Sequence, residues 1–269
     1  MHAIERAEYI LAMLEKNKVV MVADLSREMN VTEETVRKDL EKLEKQERLT
    51  RVHGGAYLNE GYGNETPVTV RSKIMREEKA LLGRRCMSLI KEKESVFLDC
   101  STTALYLAKE LASYDKKLTV MTNSLAAASE LEGNPSIRLI VFGGELNRDR
   151  AAFEGESVQR ELKQCFIHKA FISSAGISHE AGITDSTRAE AEIRRAVIRQ
   201  AKACILMVDT TKIGRNGVYV IGGIEDVDCL VVDRPIDKEN PVLWEQMETL
   251  KVPVIDGTHS GKTKKAAHE

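Results

Sequence analysis

The sequence predicts two domains of different class: a small N-terminal domain of three helices and a β-wing, then a larger α/β domain on a mainly parallel sheet. Three observations predict this. The chain has 269 residues, which at about 100–200 residues per domain suits two. Residues 1–58 carry apolar positions at helical spacing, interrupted by short polar turns. From Ser95 onward, short apolar runs alternate with helical stretches, the pattern of a sheet covered by helices on both faces.

In the first domain, Ile4, Ala7, Ile10, Leu11 and Leu14 recur at helical spacing. A second short helix runs from about Met21 to Met29, with Val22, Leu25 and Met29 on one face. Asn30 then tolerates the left-handed backbone of a tight turn, and Val31 plugs the gap between helices. Thr32 is a good N-cap for a third helix; Glu33 and Glu34 suit the positive end of its dipole, and Val36, Leu40 and Leu43 form its apolar face. Helix, short turn, helix over about residues 20–39 is the geometry that lays the second helix in a major groove of double-stranded DNA. The residues offered to DNA are Thr32, Thr35, Arg37, Lys38 and Lys42 on that helix, with Arg48, Arg51 and His53 on the wing that turns at Gly54-Gly55. The pattern does not divide them between base edges and phosphates. Acids slightly outnumber bases in this segment, and the pattern alone also fits a helical protein-interaction module.

Leu58 to Val68 has two glycines, two asparagines and Pro67 with no apolar period, so residues 59–70 read as a linker. A basic helix is predicted over Arg71–Lys91, opening an α/β domain over 71–256. Its strand candidates are Val96–Asp99, Leu118–Thr122, Ile137–Phe142, Ala170–Ser173, Ala203–Asp209, Cys229–Asp233 and Val252–Asp256. Polar and glycine residues gather after four of them: Asp99 to Thr103, Thr122 to Ser124, Gly143 to Glu145, and Asp209 to Gly214 with Lys212. In parallel sheets, ligands bind at the carboxyl ends of strands. Hydroxyls and backbone N–H groups at a helix start bind anions, and one lysine supplies a point charge. Each cluster alone fits a helix cap or a turn. Together they predict a phosphate-bearing ligand.

The composition sets limits. With 42% hydrophobic and 30% charged residues the chain can build a core and is not disordered as a whole. Its net charge is -2, so any affinity for DNA needs local positive charge. No run of about 18 apolar residues exists, so no membrane helix is expected. Glu5, Glu8 and Glu15 interrupt the N-terminal apolar pattern, which excludes a signal-peptide core. The five cysteines form no C-x-x-C pair and sit mostly in apolar runs, as buried thiols of a cytoplasmic protein do. The six histidines show no metal-ligand spacing, and no metal or cofactor is expected. Residues 257–269, polar and lysine-rich, read as a disordered tail.

Ala23–Glu44 (A-D-L-S-R-E-M-N-V-T-E-E-T-V-R-K-D-L-E-K-L-E) with the wing R-L-T-R-V-H-G-G-A closely resembles the DNA-binding domain of the DeoR-type bacterial regulators. Glu47 stands where that family usually has glycine, which implies a strained or altered helix end. D-C-S-T-T, T-N-S, F-G-G-E-L, G-I-T, E-A-E-I-R-R and D-T-T-K-I-G resemble the motifs of the family's sensor domain, in order. The resemblance implies a fold similar to ribose-5-phosphate isomerase and a sugar phosphate or related effector. It further implies ligand residues at Asp99, Ser101, Thr102, Thr103, Thr122, Asn123, Gly143, Gly144, Glu145 and Lys212, with Glu190 and Arg194 as a second tier. Ser101 replaces the family's usual glycine. The rival expectation is an isomerase with an appended DNA-binding domain. The stretch matching the isomerases' D-G-A-D-type segment is Ser173–Ser178 and holds no carboxylate, which leaves Asp185 and Glu145 as possible bases. The expectation is therefore not an enzyme but a regulator, a repressor of a carbohydrate-metabolism operon. It would work as a homo-oligomer, a dimer or tetramer, joined mainly through the α/β domain.

Overall fold

The protein is described by a computed structural model covering residues 1–58 and 68–258. Of the expected linker (59–70) and tail (257–269), residues 59–67 and 259–269 lie outside the described residues. The chain divides into two compact units, Met1–Arg76 and Glu77–Glu269.

The first unit holds α1 (Ala3–Asn17), β1 (Val19–Met21), α2 (Val22–Met29), α3 (Glu33–Lys45), β2 (Thr50–Val52), β3 (Gly55–Tyr57) and α4 (Val68–Arg71). Its core is the apolar face the helical spacing marks: Ile10, Leu14, Leu25, Met29, Val36, Leu40 and Leu43. Ile4, expected on that face, is exposed. The first turn of α1 is anchored by charge instead, through Arg6 Nε to the buried Asp39 on α3 at 2.6 Å. The wing is a three-stranded antiparallel sheet, β1-β3-β2. β1 was not expected, because Val19-Val20-Met21 is too short to show an alternation of its own. Gly54 takes the left-handed turn at φ 77°, and a Cβ on Gly55 would stand 2.2 Å from the Val20 carbonyl, so β3 approaches β1 only through glycine.

The single basic helix expected over Arg71–Lys91 is two elements, α4 and α5 (Arg76–Met87). Val70 is buried with Val19 and Tyr57, and Ile74 packs against them, so the segment after Pro67 belongs to the first unit. Met75, at φ 52°, makes the left-handed break. Three apolar residues beside a proline are too few to show a helical period.

The second unit continues with β4 (Ser95–Leu98), α6 (Thr102–Leu111), β5 (Leu118–Thr122), α7 (Leu125–Leu131) and β6 (Ile137–Val141). The β7 (Glu145–Asn147) and β8 (Ala152–Glu154) hairpin follows, then α8 (Glu156–Leu162) and β9 (Ile167–Ile172). After these come β10 (Gly176–Ser178), β11 (Gly182–Asp185), α9 (Arg188–Gln200), β12 (Ala201–Val208), β13 (Tyr219–Gly222), β14 (Cys229–Val232), α10 (Pro241–Thr249) and β15 (Val254–Ile255). The seven expected strands are the seven of the main sheet, ordered β15-β14-β12-β9-β4-β5-β6 and parallel throughout. Residues alternate between its faces as the pleat requires. Phe97, Met121, Leu206 and Leu230 meet α8, α9 and α10, whereas Val96, Leu98, Val120 and Met207 meet α5, α6 and α7. From β4 the chain first winds outward to β5 and β6, then returns beside β4 as β9. The topological switch therefore lies between β4 and β9, where such sheets hold ligands.

Candidate functional site

The helix-turn-helix is built by local chemistry. Asn30 caps α2 in the left-handed conformation at φ 52°, and Ser26 Oγ donates to the Val31 carbonyl at 2.6 Å to close the turn. Thr32 Oγ1 accepts from Thr35 N at 3.3 Å as the N-cap of α3, and the two threonine hydroxyls lie 2.9 Å apart. With Val36, Leu40 and Leu43 buried, α3 exposes Thr32, Arg37, Lys38 and Lys42, while Thr35 is half-buried. Arg37 pairs with Glu33 at 2.5 Å and Lys38 with Glu34 at 3.6 Å, along the helix. Arg51 is tied to α3 twice, its N–H and its Nε donating to Glu44 at 2.9 and 2.6 Å, which holds the Glu44 carboxyl below its ordinary range. Arg48 and His53 are exposed beside it. Glu47, in the family's glycine position, adopts φ 57°; Arg48 N donates to Leu43 O at 3.0 Å across it, closing the helix end.

The second candidate site lies on one rim of the sheet. Because β4, β5, β6, β9 and β12 are all parallel, the segments after Asp99, Thr122, Phe142, Ile172 and Asp209 share that rim. Asp99 stands at the switch. One of its oxygens accepts from Ser101 N at 3.0 Å, the other from Ser173 N at 2.9 Å and Arg194 Nε at 2.8 Å. Arg194, fully enclosed, also contacts Asp185 and lies 3.2 Å from Glu190. Arg150, from the β7–β8 turn, contacts the far oxygen of Glu190. Burial disfavours the Arg194 cation, but Asp185, Glu190 and Asp99 outweigh it and raise its pKa. Burial pushes the Asp185 carboxyl up to about 6, opposed by Arg194 and aided by Glu190. Burial likewise keeps the Cys100 thiol protonated, its Sγ donating to Glu190 at 3.4 Å.

Above this network, Ser173 Oγ lies 3.5 Å from Thr103 Oγ1 and accepts from Lys212 Nζ at 3.3 Å. The start of α6 with Thr102 and Thr103, the Ser173 hydroxyl and the Lys212 cation thus meet at the switch point. Ser101 spends its hydroxyl capping α6 through Ala104 N at 3.0 Å. Thr122 spends its own on Leu98 O and Ser124 N, at 2.8 and 3.0 Å. Asn123 is buried and clamps β8: its Nδ2 donates to Phe153 O at 3.0 Å. Gly143 O accepts from Ser157 Oγ at 3.1 Å, and a Cβ on Gly144 would meet Glu154 O at 2.4 Å, so these glycines seat the β7–β8 hairpin. Glu145 is exposed on that hairpin. The side chains of Asp99, Glu190 and Arg194 are committed to one another and support the rim from below. Sequence reasoning missed Arg150, Asp39 and the role of Ser173. An arginine in a turn and a serine after a strand carry no signal of burial.

Among the described residues no group of histidine, cysteine, aspartate and glutamate could hold a metal, and no helix is long and apolar enough to cross a membrane. Residues 6–61 match the model of the DeoR-like helix-turn-helix domain, and residues 74–234 match that of the DeoR C terminal sensor domain. The "Uncharacterized HTH-type transcriptional regulator YulB" of Bacillus subtilis is 34% identical over 93% of this chain and 95% of its own. The "HTH-type transcriptional repressor GlcR" of the same organism is 34% identical over 87% and 90%. A solved D-ribose-5-phosphate isomerase in complex with phospho-erythronic acid overlays 51% of this chain and 54% of its own at 14% identity and a TM-score of 0.39, a likeness too distant to bear on activity. Both domain models and full-length relatives agree: the chain belongs to the DeoR family of helix-turn-helix transcription regulators.

Proposed function

We propose that this regulator is a repressor of a carbohydrate-metabolism operon that lets go of its operator when a small phosphorylated sugar or related metabolite fills the rim of the parallel sheet. The observation that carries the reading is the convergence of Thr102, Thr103, Ser173 and Lys212 at the switch between β4 and β9. Hydroxyls, the α6 N-terminus and one cation together suit a phosphate. The exposed face of α3 with Arg48 and His53 is the DNA-reading surface, and GlcR, a relative at 34% identity, is a repressor by name. The protein acts in the cytoplasm as a homo-oligomer, so that two α3 helices meet two half-sites. Coupling follows if the ligand binds the DNA-free arrangement more tightly than the DNA-bound one.

A sensor without catalysis is the reading the rim supports. Asp185 is enclosed by Arg194, Glu145 is exposed on the outer hairpin, and neither stands with Ser173 and Lys212 as a base facing a substrate. The test is fluorescence anisotropy against DNA upstream of the protein's own gene, over a salt series, with and without sugar phosphates, alongside a turnover assay on pentose and hexose phosphates. Affinity should fall steeply with salt as phosphates are neutralised. Lys212→Ala should keep operator binding and lose the response to ligand; Arg37→Ala should do the reverse. Salt-insensitive or absent DNA binding, or measurable isomerisation, would overturn the reading.

A further inference from the structure

Two buried polar atoms on the rim have no hydrogen-bond partner among the described residues, the oxygen of the Asn123 amide and the hydroxyl of Ser174. The amide's orientation is fixed by its neighbour. Phe153 O can only accept, so the end of Asn123 that faces it at 3.0 Å is the nitrogen. The backbone carbonyl of Asn123 is also taken, by Phe153 N at 2.8 Å. What remains is Oδ1, a pure acceptor on a fully buried residue.

The register places both residues beside the segment that leads into α6. Phe171, Leu98 and Thr122 lie level across β9, β4 and β5. Asn123 therefore follows directly on one side of the Asp99 segment, and Ser174 follows Ser173 on the other. With strands about 4.8 Å apart, each stands roughly one strand spacing from the start of α6. A phosphate dianion there offers only acceptor oxygens and cannot satisfy Asn123 Oδ1. A hydroxyl one or two carbons away from the phosphate can.

We infer that Asn123 and Ser174 are specificity-determining residues that read the carbon skeleton of the effector: Asn123 Oδ1 accepts from one of its hydroxyls and Ser174 Oγ bonds another. Asn123 is thus a reader of the sugar and not a ligand of the phosphate. The inference rests on the phosphate-sensing reading of this rim, and adds that the site selects polyol phosphates against phosphates whose neighbouring carbons lack hydroxyls. A site built around a ligand hydroxyl strongly rejects the analogue that lacks it, because its own polar groups stay unpaired.

The experiment is calorimetric titration and thermal shift of the full chain with glycerol 3-phosphate, ribose 5-phosphate and glucose 6-phosphate. Inorganic phosphate and n-propyl phosphate serve as hydroxyl-free controls. At least one polyol phosphate should bind 10-fold or more tightly than n-propyl phosphate. Ser174→Ala breaks no internal hydrogen bond, so it should melt like wild type without ligand, yet bind that polyol phosphate about 10-fold more weakly, with inorganic phosphate unaffected. Asn123→Ala should lose the same discrimination, although it also frees β8. Equal binding of n-propyl and polyol phosphates, or full discrimination kept by Ser174→Ala and Asn123→Ala together, overturns this inference alone. Failure of every phosphate to shift the wild type, with DNA binding intact, overturns the phosphate reading and this inference with it.

Discussion

The two candidate sites use charge in opposite ways. On α3 and the wing the cations are exposed and paired with acids of α3, Arg37 with Glu33, Lys38 with Glu34, Lys45 with Glu41 and the wing's Arg51 with Glu44. Such pairs are worth about 0–1 kcal/mol each and are screened by salt, so their cations can be handed to DNA phosphates at small cost. On the sensor rim, Asp99, Asp185, Glu190, Arg194 and Arg150 are all buried and bonded to one another. There the network fixes position, and breaking it leaves bare charge in the interior. Charge that must change partners sits in water, and charge that must hold a shape sits out of it.

The sharpest way to break that comparison is to remove one cation from each place. Arg194→Met takes the shared cation from Asp99 and Asp185 and leaves only Arg150, on Glu190, so it should cost about 3–5 kcal/mol, read as a lower urea midpoint for the sensor unit. Arg37→Ala should stay within about 0.5 kcal/mol of wild type in the same titration. Equal losses would mean that the surface pairs are structural too.

The pH dependence of the rim gives a somewhat smaller effect. The Asp185 carboxyl lies at about 6 in the folded protein against an ordinary 3.8. Its folded form binds the proton more tightly than the unfolded form, so stability from this group is full below about pH 4. It declines as pH rises to about 6 and is flat beyond. The span corresponds to about 3 kcal/mol. Asp185→Asn cannot titrate. The stability of wild type relative to this variant should therefore fall by that order between pH 4 and pH 7 in urea titrations at matched pH. A constant difference would place the proton elsewhere in the network.

How much of this was legible beforehand follows the same division. The seven strands of the main sheet are mainly apolar runs, and a buried parallel sheet writes itself that way. The HTH turn is legible through Asn30 and Thr32, whose side chains and backbone preferences act within a few residues. The rim network is not. Asp99 and Arg194 are 95 residues apart, and nothing local in either says that they bond to each other and not to a ligand. Resemblance to the family marked these residues as ligand positions, and the structure adds that they are paired with one another. The small strands β7, β8, β10, β11 and β13 escaped for a different reason: each is three or four residues long, below the length at which alternation rises above chance.

The smallest expected effect concerns a place where sequence and structure agree. Glu47 replaces a glycine usual in the family, and its φ of 57° is the left-handed value that glycine adopts freely. A non-glycine residue there is strained by about 1–2 kcal/mol. Glycine also loosens the unfolded chain, which offsets about 0.4–1 kcal/mol. Glu47→Gly should therefore stabilise the first unit by about 0.5–1 kcal/mol, seen as slower hydrogen exchange of the α3 amides in the full chain. Glu47→Val, branched at Cβ, should destabilise it by a similar amount. The bonds from Glu47 N to Glu44 O and from Arg48 N to Leu43 O, at 2.9 and 3.0 Å, do not involve the side chain and survive either change. Operator affinity should then stay within about twofold of wild type for Glu47→Gly, since that difference is under about 0.4 kcal/mol. A larger change would mean that the glutamate sets the angle of the wing, and that a surface otherwise held by exchangeable pairs contains one fixed point.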